Sequence, residues 1–317
     1  MRMLIVAPFR DEATFLPRFL RSLERQTRRP DRLVLVDDGS ADDSAALARA
    51  FAERHAWATL LARPRRPAGR DRLARAAELA AFQWALARAD DGAAELVGKL
   101  DADLELTPGT FAALEAAFAA DPRLGISGAL LSVRDADGTT RRERCPPGHV
   151  RGATKLYRRA CLEAIAPVPA ILGWDTIDEA AARLHGWRTA SMAIPGGDPL
   201  HLRPTGAASG LLRAQRRWGT CAWAIGAHPA WVALSALRRA GERPRVLSGA
   251  AFAAGWALAP LRGVPRADAA VRRQVRREQR SRLRDAGLGL SRPPAGRRAA
   301  AAAAARAVPS GGRGRAR

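Results

Sequence analysis

Three acidic clusters have the residue types and spacing to do chemistry: Asp37-Asp38, Asp101 with Asp103, and Asp175 with Asp178 and Glu179. Asp101 and Asp103 are two residues apart, so in an extended stretch their carboxylates point to one side. Two carboxylates facing one way repel unless a cation or hydrogen-bond donors lie between them. A hard divalent ion, Mg2+ or Mn2+, shared with a diphosphate meets that need. A solvated turn is the plain alternative for the same Asp-x-Asp. Asp175, three residues ahead of Asp178, reads as an N-cap arrangement for a helix over 176–185. A helix N-terminus also holds a carboxylate rigidly and keeps it ionised.

These side chains need a frame, and the hydropathy pattern supplies one. Residues 3–7 are a short apolar run closed by Pro8, and similar runs recur at 33–36, 58–61 and 96–100, each suited to a buried parallel strand. Between them lie a helical period over 15–26, a second over 44–54 and an Ala-rich helix ending near Ala89. Strands alternating with helices imply βαβ units and a mostly parallel sheet. Thr107 is expected to cap a further helix with Pro108 in its first turn. Strands are expected over 125–133 and 189–194, with a helix ending at Gly186 between them. Ligands of such a sheet bind at the carboxyl ends of its strands, which is where Asp37-Asp38 and Asp101/Asp103 fall.

Four motifs occur in a fixed order: Pro8-Phe9-Arg10-Asp11-Glu12, Val36-Asp37-Asp38-Gly39-Ser40, Lys99-Leu100-Asp101-Ala102-Asp103, and Gly173-Trp174-Asp175-Thr176-Ile177-Asp178-Glu179. Together they resemble the inverting family 2 glycosyltransferases of GT-A fold, over roughly residues 3–235. The resemblance implies an α/β fold with a Rossmann-like central sheet, a nucleoside diphosphate sugar as donor, a divalent metal (Mn2+ or Mg2+) and a hydroxyl acceptor. It implies that Pro8 and Glu12 form the floor of the nucleotide pocket, that Asp38 accepts from the base and that Asp37 orients the nearby loop or the ribose. A simple strand-to-helix turn is the other reading of Asp37-Asp38. By the same resemblance Asp101 holds the ribose or the metal, and Asp103 coordinates the metal on the diphosphate. Asp175 matches the position of the catalytic base, with Asp178 as the alternative. His201 completes the metal shell or is a structural donor, and Arg203 pairs with a phosphate. Gln215-Arg216-Arg217-Trp218 is similar to the Gln-x-x-Arg-Trp signature of processive polysaccharide synthases but one residue short. Arg217 and Trp218 then either flank the acceptor and diphosphate or are a solvated Arg beside a packed Trp. Arg63 and Arg70, on the loop before the fourth strand, are nucleotide-binding candidates or ordinary solvated arginines.

The 317 residues are 47% apolar, which excludes a disordered chain, a collagen-like repeat and a disulfide mini-protein. The net charge of +22 looks at first like a nucleic-acid signature. Its placement is uneven: residues 201–317 hold 24 arginines against 4 acidic residues, a charge of +20, which leaves +2 for residues 1–200. Lys99 and Lys155 are the only lysines, so part of the excess reflects a bias toward arginine. Residues 271–317 contain no Phe, Trp or Tyr for base stacking, so no specific nucleic acid is expected. The uncharged runs at 218–237 and 246–261 are flanked by arginines, a pattern suited to a cytoplasmic membrane leaflet. They read as interfacial or re-entrant helices, as spanning segments, or as buried helices covering the sheet. The three cysteines at 145, 161 and 221 lack metal-ligand spacing and are expected to be reduced thiols in a cytosolic setting. Residues 3–9 are too short for a signal peptide and run into Arg10-Asp11-Glu12. The expected organisation is a catalytic domain over 1–215, a basic helical region over 216–290 and a disordered tail over 291–317. The expected setting is cytoplasmic, peripheral at the inner face of the membrane, with a glycan or lipid-linked acceptor. The competing function is a non-catalytic nucleotide-binding or anionic-surface-binding protein acting through the basic C-terminal third.

Overall fold

The structure, a computed structural model, describes residues 1–64, 76–134, 138–143, 145–146, 148–203 and 210–285. Arg70 and the expected tail over 291–317 lie outside the described residues. The chain starts with three parallel strands laid outward in turn, β1 (Met3–Phe9), β2 (Arg32–Asp37) and β3 (Ala58–Ala62), joined by helices α1 (Leu16–Glu24) and α2 (Ser44–Arg54). It then returns through α3 (Ala77–Ala89) to β4 (Leu96–Leu100), which pairs parallel with the opposite edge of β1. All residues of β1 and β4 are buried, as strands covered on both faces must be. Leu4, Val6, Val34 and Val36 face a layer containing Phe82 of α3, whereas Ile5, Leu33 and Leu35 face Phe19 of α1 and Phe51 of α2. The period of two along each strand thus builds two apolar cores, one per face of the sheet.

The full sheet has seven strands in the order β10-β6-β9-β4-β1-β2-β3, adding β6 (Leu124–Ala129), β9 (Thr154–Arg158) and β10 (Arg188–Met192). The expected strand over 125–133 is in fact two. After Ala129 the chain leaves the main sheet, and β7 (Ser132–Arg134) joins a small second sheet ordered β5-β11-β7-β8. That sheet contains β5 (Leu104–Glu105), β8 (Thr140–Arg142) and β11 (Leu200–His201). The helix expected from Thr107 begins three residues later, as α4 (Thr110–Ala120). Thr107 instead closes a turn, its carbonyl accepting from the Thr110 amide at 3.0 Å and its hydroxyl donating to the Gly197 carbonyl at 2.9 Å. Following β9 come α5 (Arg159–Ile165) and α6 (Trp174–Leu184).

Residues Met1–Arg276 form one compact unit, which includes α7 (Leu211–Ala224), α8 (Pro229–Ala240) and α9 (Leu247–Ala257). α10 (Ala269–Asp285) continues into the described part of a second unit. The uncharged run over 218–237 is cut at Pro229, and His228 caps α8 by accepting from the Ala230 amide at 3.2 Å. α8 and α9, of 12 and 11 residues, are well below the ~20 residues a bilayer crossing needs. Among the described residues no helix is long and apolar enough to cross a membrane.

Candidate functional site

β1 leads outward to β2 on one side and has β4 on the other, so the strand order reverses between β1 and β4. The carboxyl ends of these two strands therefore open on a crevice at a topological switch point. Residues 101–103 form a turn there, and the two carboxylates have different partners. Lys99 Nζ donates to Asp101 Oδ1 and, at 3.0 Å, to the Gly152 carbonyl. Asp103 is met by residues almost a hundred positions away. β5 pairs antiparallel with β11, with His201 opposite Leu104. That register brings His201 Nε2 to 3.4 Å from Asp103 Oδ1. The Leu202 amide donates to the Asp103 carbonyl at 2.9 Å. Arg203 then reaches both sides of the crevice, with Nε 3.4 Å from Asp103 Oδ2 and Nη2 donating to Glu12 Oε1.

The charges in this group act strongly on one another. Burial pushes the Glu12 carboxyl up to about 7, assisted by Asp103 and opposed by Arg203. Its Oε2 is buried with no hydrogen-bond partner. Burial also acts to raise Asp103, but His201 and Arg203 outweigh it and hold this carboxyl below its ordinary value. His201 is raised to about 9: burial disfavours its cation, but Asp103 and Glu143 overcome that. The arrangement is a carboxylate-rich crevice already threaded by two cationic side chains, suited to a diphosphate with a counter-cation.

Asp37 and Asp38 sit at the end of β2, both buried. Asp37 Oδ1 accepts from the Ser40 amide at 2.9 Å, closing the turn toward α2. Asp38 Oδ1 accepts from Arg63 Nη1 at 3.0 Å, and the Arg63 amide donates to the Asp37 carbonyl at 2.8 Å. Pro8 is buried in β1 beside Val36. The Glu12 amide donates to Ser44 Oγ at 2.8 Å, which fixes the loop after β1 against the start of α2.

Gly173 opens α6 in the left-handed conformation, φ 83°, and packs where a Cβ would meet Ile225 and Cys221 of α7 at 2.7 and 2.8 Å. Only glycine serves both needs. Asp175 follows in the first turn, half-buried, and its carboxylate makes no hydrogen bond or ion pair among the described residues. Its backbone carbonyl accepts from Lys155 Nζ at 2.7 Å. Asp178 is wholly enclosed: it accepts from Lys155 Nζ at 2.8 Å and from the Tyr157 hydroxyl at 2.6 Å. Burial pushes it up to about 6 against the pull of Lys155. Glu179 accepts from the Val150 amide at 2.7 Å and lies 3.1 Å from His149 Nδ1. Arg217 and Trp218 lie on α7, Trp218 exposed, on the helix whose Cys221 and Ile225 border Gly173.

The sequence signature described as glycosyl transferase family 2 matches residues 4–166. The chain belongs to that family. Two solved structures are similar to this glycosyltransferase in fold. One is the mannosyltransferase PcManGT from Pyrobaculum calidifontis in complex with GDP-Man and Mn2+, 20% identical, with a TM-score of 0.51 over 96% of this chain and 80% of that one. The other is GalNAc-T7 with UDP, GalNAc and Mn2+, 12% identical, with a TM-score of 0.56 over 92% of this chain and 58% of that one. Comparison with curated proteins gives no match.

Beneath the crevice of this glycosyltransferase lies a feature that its motifs did not announce. Its two lysines are opposite each other on the paired strands β4 and β9, and both are buried. Like charges so placed repel. Lys99 is neutralised by Asp101, and Lys155 by Asp178 and Glu179. Burial acts to lower Lys155, but Asp178 and Glu179 outweigh it and hold the ammonium raised. The Trp174 ring lies 5.4 Å from the Lys99 and 5.2 Å from the Lys155 ammonium, and its Nε1 donates to Glu78 at 3.0 Å. The available signal was compositional: a lysine retained in an arginine-biased chain.

Proposed function

We propose that this family 2 glycosyltransferase moves a sugar, with inversion, from a nucleoside diphosphate donor to a hydroxyl of a cell-envelope glycan or a lipid-linked saccharide. The observation that carries the reading is the meeting of Glu12, Asp103, His201 and Arg203, with Asp101 alongside, at the β1/β4 switch point. PcManGT, solved with GDP-Man and Mn2+, supports the donor class and the ion. In this reading Pro8, Asp37 and Asp38 hold the nucleoside. Asp101, Asp103 and His201 face the diphosphate, and Arg203 pairs with its oxygens.

A divalent ion fits the residues present in part. Asp103 Oδ1 and His201 Nε2, 3.4 Å apart, are spaced as two ligands of one ion, and a carboxylate with an imidazole would suit Mn2+ once His201 gives up the proton it holds against Asp103. Among the described residues no group of three His, Cys, Asp or Glu side chains is arranged to hold a metal alone, so oxygens of the donor would complete the shell. When bound, such an ion offsets negative charge on the departing diphosphate.

Asp175 is the base. Its carboxylate is unpaired among the described residues and is fixed through its own backbone to Lys155, whereas Asp178 is enclosed by Lys155 and Tyr157. Asp175 takes the proton of the acceptor hydroxyl as that oxygen bonds to the anomeric carbon. The bond from anomeric carbon to diphosphate oxygen breaks on the opposite face, and its electron pair leaves with the nucleoside diphosphate. Arg217 and Trp218, on the helix beside Gly173, border the acceptor side. The test is a thermal-shift panel of nucleoside diphosphates and their sugars, with Mn2+ or with a chelator. At least one should raise the melting temperature by mass action in Mn2+ and lose that effect under chelation. No stabilisation by any of them would overturn the reading.

A further inference from the structure

The layer formed by α7, α8 and α9 has an outer surface that water alone does not explain. α9 contains one polar side chain, Ser248, and that one is buried. Every side chain α9 exposes is apolar. Its outward stripe runs Leu247, Ala250, Ala254, Ala257, Leu258 and, just past the helix, Leu261. At 100° per residue these positions fall within an arc of about 100°, the width of a face that ordinarily points into a core. Yet Leu247 is 56% exposed, Leu258 38% and Leu261 83%. Leu237, near the end of α8, and Val246, in the connection to α9, are exposed by 72% and 69%. Val246 adopts φ 61°, a left-handed conformation that a β-branched residue reaches only under strain.

The surroundings of the stripe are basic. Residues 211–263 contain eight arginines and one acidic residue, Glu242. Arg238, Arg243 and Arg245 stand exposed at one end of α9, and Arg262 at the other. Arg243 and Arg245 form no ion pair among the described residues. Two copies of the chain joined through this face would set arginines against arginines, at a repulsive cost. An anionic lipid surface complements both features, with acyl chains for the leucines and headgroup phosphates for the arginines.

We infer that the exposed face of α9, with Val246 at its start, Leu237 on the neighbouring α8 and Arg238, Arg243, Arg245 and Arg262 around it, is a docking surface for an anionic lipid bilayer. The protein lies on the bilayer through this face without crossing it. The inference adds an address to the transfer reaction proposed above, and its test scores lipid binding without turnover, so either can fail alone.

The experiment is co-sedimentation of the full chain with vesicles of phosphatidylglycerol and phosphatidylcholine, or of phosphatidylcholine alone, at about 0.15 M salt. The critical variant is Leu247→Ser/Leu258→Ser/Leu261→Ser, which keeps every arginine, including those beyond Asp285 that would draw any form of the chain to anionic vesicles. All three leucines are solvent-facing, so an unchanged melting temperature checks the fold. The wild type should sediment with the anionic vesicles and the variant should partition roughly tenfold less. Equal partitioning would assign the attraction to charge alone and overturn the inference, as would a wild type that ignores anionic vesicles. Sedimentation velocity without lipid closes the other route: a wild-type dimer that becomes monomeric in the variant would make the face a contact between copies.

Discussion

At the scale of single residues, carboxylates close together in the sequence have very different surroundings. Asp175 and Asp178 are three residues apart on one helix turn, yet one carboxylate is unpaired among the described residues and the other is locked under Lys155 and Tyr157. The spacing of the acidic residues was legible in the sequence. The contrast between their partners was not, because it depends on Lys155, supplied to this helix from β9. Lys155→Met would leave Asp178 buried without its cation and remove one of the cations around Glu179, a loss of about 3–5 kcal/mol. The expected outcome is a lower midpoint of chemical denaturation at unchanged m-value, and an unmoved midpoint would contradict the role given to Lys155. Burial acts on the thiols by the same logic, pushing Cys161 and Cys221 each up to about 12.

At the scale of elements, the strands with continuous apolar runs were readable, and β1 through β4 appear where hydropathy places them. β9 was not readable, because Thr154-Lys155-Leu156-Tyr157-Arg158 interrupts its hydrophobics with charge and enters the sheet antiparallel. β5 and β11, of two residues each, have no sequence signal at all, yet their pairing brings His201 to Asp103. Two element-level contacts can be tested. α7 and α9 touch backbone to backbone at Gly219 and Gly255, where a Cβ would overlap the carbonyls of Phe252 and Arg216. Gly219→Leu should therefore cost about 3 kcal/mol or more by forcing the helices apart, seen as a fall in melting temperature. The middle of α6 is tied to the loop before β9 by His149 and Glu179. Burial acts against the His149 cation, but Glu179 overcomes it and raises the group above its ordinary 6.5. A raised histidine stabilises the fold fully below about pH 6.5 and loses that contribution as pH climbs through the folded value. His149→Gln should flatten the decline of melting temperature as pH rises above about 6.5, relative to wild type. Parallel profiles would show that the pair contributes nothing.

At the scale of the whole molecule, charge and chemistry are separated along the chain. The first 200 residues carry +2 and most of the carboxylates, and the remainder carries +20. In the two proposals made above, the net charge bears on the surface the protein docks to, and the near-neutral α/β unit bears on the reaction. The sequence showed this asymmetry but left the uncharged run over 246–261 open as an interfacial, spanning or buried helix, and the 11-residue α9 is too short to cross a membrane and exposes an apolar face. The central claim is transfer of a sugar from a nucleoside diphosphate with Asp175 as base, and single-turnover transfer from a labelled donor by the Asp175→Asn protein tests it most directly. The account predicts that transfer falls by about 10²–10⁴ while the donor still raises the melting temperature as it does for wild type. Wild-type turnover in Asp175→Asn would contradict it.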